Sequence, residues 1–178
     1  PDISVYAKSI GNGYPIAAVI GDSGIMDFAR ETFISSTAYT EAVGLSALIG
    51  VLSEFQTRNI PKHLSEAGNS VLKTLVDSAA MFDLNLKVSG DGPLWSWVFS
   101  DLSPEQNRLA VTYVTERCLE QGVLFCNRFY ALASPFNLYD QIDLLERALM
   151  CAFESLVLQT NVRSADLELV GLAPNRLA

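Results

Sequence analysis

Two short apolar runs, at residues 3–7 and 16–20, face each other across a single lysine and a glycine-rich turn, in the stretch YAKSIGNGYPIAAVIG at 6–21. Runs this short, rich in β-branched residues and bounded by glycine, have the pattern of buried strands. The spacing therefore predicts two strands joined through Lys8 and the Gly11-Asn12-Gly13 turn. Gly11 and Gly13 are expected to supply positive φ and a missing side chain, so that the backbone can turn tightly. The chain has four lysines; Lys62 and Lys73 fall on predicted helices and Lys87 on an alternating strand, so Lys8 alone stands in this setting. A lysine there is either an edge charge reaching into water or a partly desolvated amine that spends time neutral and attacks a carbonyl to form a Schiff base.

Beyond the turn the periodicity changes. Residues 24–31 suit a short helix and 33–40 a hydroxyl-rich loop. Over 41–58, Val43, Ala47, Val51, Leu52 and Phe55 recur at helical spacing, and Pro61 ends that helix or starts the next. Residues 62–80 read as a second amphipathic helix, with Leu64, Ala67, Val71, Leu72, Leu75 and Val76 on one face. An alternating run at 84–89, the turn GDGP at 90–93 and an aromatic-rich run at 94–99 predict a hairpin or a wider loop. SPEQ at 103–106 opens a helix with Ser103 as N-cap and Pro104 at its first position, and Gly122 stops it. Residues 123–126 and 130–133 read as short strands. Residues 140–158 read as a helix turning Ile142, Leu145, Leu149, Phe153 and Leu156 inward.

This order predicts an α/β chain in two parts. Residues 1–60 form the end of one domain, with the long helix leading out of it. Residues 61–160 form a small complete α/β domain, and 161–178 a polar tail. Pro1 falls inside an apolar pattern, so the chain reads as cut from something longer.

Charge and composition narrow the partners. A net charge of -8 and 49% hydrophobic residues describe a globular chain whose surface repels phosphate backbones and anionic lipid, so neither nucleic acid nor membrane is an expected partner. No apolar run reaches the roughly 18 residues of a membrane span, and no basic segment precedes an apolar one at the start. Three widely spaced cysteines, Cys118, Cys126 and Cys151, suit reduced thiols in the cytoplasm, and with one histidine, His63, a metal cluster is not expected. Trp95 and Trp97 alternate, so they share one face and pack beneath a helix.

The segment PDISVYAKSIGNGYPIAAVIG at 1–21 resembles the lysine segment of the class III aminotransferases, fold type I enzymes that use pyridoxal 5'-phosphate (PLP). The run SSTAYTEAVGLSAL at 35–48 is similar to the hydroxyl-rich loop and long helix of the branch around glutamate semialdehyde aminomutase. The resemblance implies that Lys8 carries PLP through a Schiff base and moves a proton once freed. It also implies that Thr37, with Ser36 beside it, binds the cofactor phosphate across the interface of a homodimer with shared active sites. Hydroxyls and backbone N–H groups near a helix start suit a phosphate dianion. By the same resemblance residues 1–60 are the end of the large PLP-binding domain and 61–160 the small C-terminal domain. The reaction implied is amino-group transfer between a small amino donor and a carbonyl acceptor, or a mutase shift; the alternative is a catalytically silent fragment retaining the fold without the upstream half of the active site. An arginine that grips a substrate carboxylate in many members is replaced here by Ala131 in the run FYALASPFNL. Arg128 is the nearest guanidinium and either compensates for it or is a solvated strand charge.

Overall fold

The computed structural model describes residues 1–35, 39, 41–131 and 138–159, with side chains of the last segment described from 141 onward. The chain is mixed α/β and divides into two compact units, Pro1–Ile60 and Pro61–Ala178.

In the first unit, β1 (Ile3–Tyr6) and β2 (Ala18–Gly21) pair antiparallel, from Ile3 opposite Gly21 to Tyr6 opposite Ala18. A one-turn helix α1 (Ser23–Met26) follows, its start capped by the Asp22 carboxylate accepting from the Gly24 N–H at 2.9 Å. A 3-10 turn over Asp27–Glu31 comes next, and then the helix α2 (Ala42–Thr57). The expectation of buried strands fails: Val5 is 70% exposed and Val19 52%. A two-stranded ribbon buries a face only when another layer lies on it, and none covers these side chains among the described residues. The same holds for α2, where Val43, Leu52 and Phe55 sit on the predicted apolar stripe yet are about half exposed.

The second unit is a three-stranded antiparallel sheet in the order β3 (Leu86–Asp91), β4 (Leu94–Phe99), β5 (Arg128–Tyr130). It packs with α3 (Ile60–Ala80), α4 (Pro104–Glu120) and α5 (Leu138–Gln159). The GDGP turn makes a tight hairpin, with Asp91 opposite Leu94 and both Gly90 and Gly92 at positive φ. Alternation on β4 sends Trp95, Trp97 and Phe99 inward, where they join Leu75 of α3, Val114 and Cys118 of α4, and Leu149 and Phe153 of α5. Phe129 stacks on Trp95 at 4.7 Å between ring centroids. Each buried indole N–H finds a carbonyl, Trp95 donating to Gly68 and Trp97 to Cys126, both at 3.2 Å. The α4 start is a reciprocal cap: Ser103 Oγ accepts from the Gln106 N–H, and Gln106 Oε1 accepts from the Ser103 N–H at 2.9 Å.

Two predicted strands change. Residues 123–126 form none: the Val123 N–H bonds the Cys118 carbonyl at 2.9 Å as the chain leaves α4, and Phe125 turns into the core. The strand predicted at 130–133 is instead Arg128–Tyr130, and 132–133 lie outside the described residues. No helix among the described residues is long and apolar enough to cross a membrane.

Candidate active site at the lysine turn

Lys8 leaves β1 through an extended Ala7 and opens a 3-10 turn over Lys8–Ile10. Its φ is +55°, in the left-handed region. For a residue with a Cβ that conformation costs about 1–2 kcal/mol, and a lysine has no short polar side chain to offset it locally. The turn is held by its own backbone. The Lys8 carbonyl accepts from the N–H groups of Gly11 at 3.0 Å and Asn12 at 3.2 Å, and the Gly11 carbonyl accepts from the Tyr14 N–H at 3.1 Å.

The two glycines serve different ends, which corrects the expectation that both supply positive φ. Gly13 has φ +106° and open space where a Cβ would stand. Gly11 has φ −101° and is buried; a Cβ there would collide with the Tyr14 carbonyl oxygen and lie 2.6 Å from Cγ2 of Ile16. One glycine supplies conformation and the other supplies room.

The returning segment 14–16 also lies against the first turn of α2. A Cβ on Gly44 would lie 2.7 Å from the Pro15 carbonyl oxygen and 3.3 Å from Cβ of Ile16. Gly44 is the buried residue of α2. That turn is capped by Glu41, whose two carboxylate oxygens accept from the N–H groups of Val43 at 3.0 Å and Gly44 at 3.2 Å. Glu41 thus takes up backbone donors at this helix start of the general kind expected to suit a phosphate. Sequence reasoning missed both Glu41 and Gly44. The available signal was an acid at a helix start followed three residues later by a glycine.

Lys8 itself is exposed among the described residues, which do not cover it. No hydrogen bond or ion pair holds its Nζ among the described residues. Ser36 and Thr37 lie outside the described residues. Arg128 is exposed on β5 opposite Ser96, in the second unit, and His63 is exposed on α3. Cys118 is buried between helices of the second unit, and burial first, then the nearby Cys151 thiol, pushes its pKa from 9.0 up to about 12. That makes it an inert core thiol.

The model of the family described as aminotransferase class-III matches residues 1–140. The chain belongs to the class III aminotransferase family. It is 24% identical over 155 residues to glutamate-1-semialdehyde 2,1-aminomutase of Legionella pneumophila (strain Corby), a match covering 81% of the chain and 36% of that protein. It is 29% identical over 101 residues to aminopentol aminotransferase of Sphingopyxis macrogoltabida, covering 57% of the chain and 24% of that protein. Among solved structures, the FumI protein of Sphingopyxis sp. MTA144 in its PLP internal aldimine form superposes with a TM-score of 0.79 at 23% identity, over 89% of the chain and 38% of that protein. An omega-transaminase from Sphaerobacter thermophilus gives 0.68 at 20% identity, over 85% of the chain and 39% of that protein. The fold is thus that of part of a fold type I transaminase. The match spans between about a quarter and two fifths of the length of these relatives.

Proposed function

We propose that this class III family member takes part in PLP-dependent amino-group transfer, as an aminotransferase or an aminomutase, and that Lys8 is the residue to which the cofactor is attached. The carrying observation is the Lys8 turn: a lysine held at a left-handed backbone position beside the crowded Gly11, inside the stretch that the family model matches. The residues present fit the cofactor. A primary amine without a competing partner among the described residues is the donor a pyridoxal aldehyde needs. When bound, PLP supplies an aldehyde that condenses with amines and a ring that accepts electrons from the adjacent carbon.

Lys8 Nζ then has two tasks. At rest it holds the cofactor; during turnover, released by the substrate amine, it takes a proton from one carbon and returns it to another. The turn fixes the point from which the Lys8 side chain leaves the backbone for both tasks. Ser36 and Thr37 are assigned to the cofactor phosphate, with Thr37 serving the site of a second copy in a homodimer. Because Glu41 fills the N–H groups at the start of α2, that role rests on hydroxyls rather than on the helix end. Residues 1–60 belong in this reading to the large cofactor domain and 61–160 to the small C-terminal domain. The substrates are a small amino donor and a carbonyl acceptor, met in the cytoplasm.

Purified in its native form and supplied with PLP, the protein is expected to develop a visible absorption band that Lys8→Ala abolishes. The same substitution should lower amino transfer by at least about a thousandfold. A Lys8→Ala protein that keeps both band and turnover would sink the assignment of Lys8, and an unsubstituted protein that shows neither band nor turnover would favour a silent role for this fold.

A further inference from the structure

We propose that Gly44 and Gly11 are positioning residues for Lys8, forming a two-glycine stack through which the capped start of α2 sets the lysine's backbone. The contacts run in series. Glu41 fixes the first turn of α2 by accepting from the Val43 and Gly44 N–H groups. The bare Cα face of Gly44 lies against the Pro15 carbonyl and Ile16, where a Cβ would come within 2.7 Å of a backbone atom that cannot swing aside. Ile16 in turn occupies, with Cγ2, the space a Gly11 Cβ would need. Gly11 donates to the Lys8 carbonyl at 3.0 Å, closing the turn in which Lys8 holds φ +55°. A left-handed lysine persists only where its surroundings over-determine it, and this stack supplies the determination from outside the turn.

The stack makes a sharp distinction within one helix. Gly50 also lies on α2, but a Cβ there meets nothing within 4 Å. Helix propensity favours alanine at both positions, so only the contact at Gly44 separates them. The inference rests on the reading of Lys8 as the cofactor lysine, and the test is built to separate the two.

Gly44→Ala, Gly50→Ala and Glu41→Ala are made in the native protein, and two quantities are read in each. The first, in cofactor-free protein, is amide hydrogen exchange of the peptide containing the Gly11 and Asn12 N–H groups. The second is the fraction of Lys8 carrying PLP after borohydride reduction. Gly44→Ala is expected to speed exchange at the turn by about tenfold or more and to lower trapping at Lys8 severalfold, while Gly50→Ala changes neither. Glu41→Ala, which loosens the cap without adding an atom, moves both in the same direction by a smaller factor, and covers the case in which Gly44→Ala fails to fold. Unchanged exchange in both Gly44→Ala and Glu41→Ala overturns the stack. Faster exchange with full trapping overturns its role in positioning the amine. Absence of PLP at Lys8 in the unsubstituted protein instead defeats the functional reading and the positioning role with it, and the exchange data still decide whether the stack holds the turn.

Discussion

At the scale of single residues, Lys8 was legible because it is the one lysine between two apolar runs and beside a glycine turn. Its left-handed φ was not, since nothing in the identity of a lysine calls for that conformation; it arises from contacts with residues 14–16 and 44. Gly11 and Gly13 were both singled out, but only the folded chain separates the one needed for φ from the one needed for room. Gly13→Ala should therefore cost about 1–2 kcal/mol through strain alone, and Gly11→Ala more, because its Cβ meets backbone; denaturant unfolding followed by exchange at the turn measures both. Cys118 gives a pH prediction. Its thiol is held protonated in the fold, with a pKa raised from 9.0 to about 12, so above pH 9 the unfolded chain releases a proton that the folded chain retains. Stability must fall as pH climbs from about 9 toward 12. The fall should be shallower in Cys118→Ala, as urea unfolding across that range will report, and near neutral pH a thiol reagent should modify the exposed Cys126 and Cys151 well before Cys118.

Elements were most readable where a local signal and burial agree. SPEQ announced α4, and the reciprocal Ser103–Gln106 cap is present; Ser103→Ala is expected to cost about 1 kcal/mol in equilibrium unfolding. The apolar face of 62–80 was sound at Ala67, Val71 and Leu75, which are buried, but not at Val76, which is exposed. The run at 123–126 misled because an apolar stretch of four cannot reveal whether its backbone will pair with a strand. Here the Val123 N–H goes to the end of α4 and the Cys126 carbonyl accepts from the Trp97 indole. Asn107 passed unnoticed for the opposite reason, being a polar residue on a helix with no motif around it. Its side chain accepts from the Phe99 N–H at 2.8 Å and donates to the carbonyls of Phe99 at 2.9 Å and Leu102 at 3.0 Å, tying α4 to the end of β4. Asn107→Ala strands those groups and should cost about 2–3 kcal/mol by the same unfolding measurement.

Across the whole molecule the two units differ in what they bury. The second has a continuous core around Trp97, Leu75, Leu149 and Phe153, whereas the large apolar side chains of the first, from Ile3 to Phe55, include none that is buried among the described residues. Expressed separately, residues 61–159 should unfold cooperatively with a near-ultraviolet signal from the two tryptophans, and residues 1–60 should show no such transition; a featureless melt for 61–159 would refute that contrast. The sequence pattern predicted strands and helices in the first unit well but wrongly assumed that apolar meant buried, because periodicity marks which face wants cover and not whether cover is supplied. The family rests on residues 1–140 and the fold on superposition, while the functional account rests on Lys8. Its most direct test is borohydride reduction of the native, PLP-loaded protein followed by peptide mapping. The account predicts one pyridoxyl group on Lys8; a pyridoxyl group on Lys62, Lys73 or Lys87 with Lys8 unmodified would contradict it.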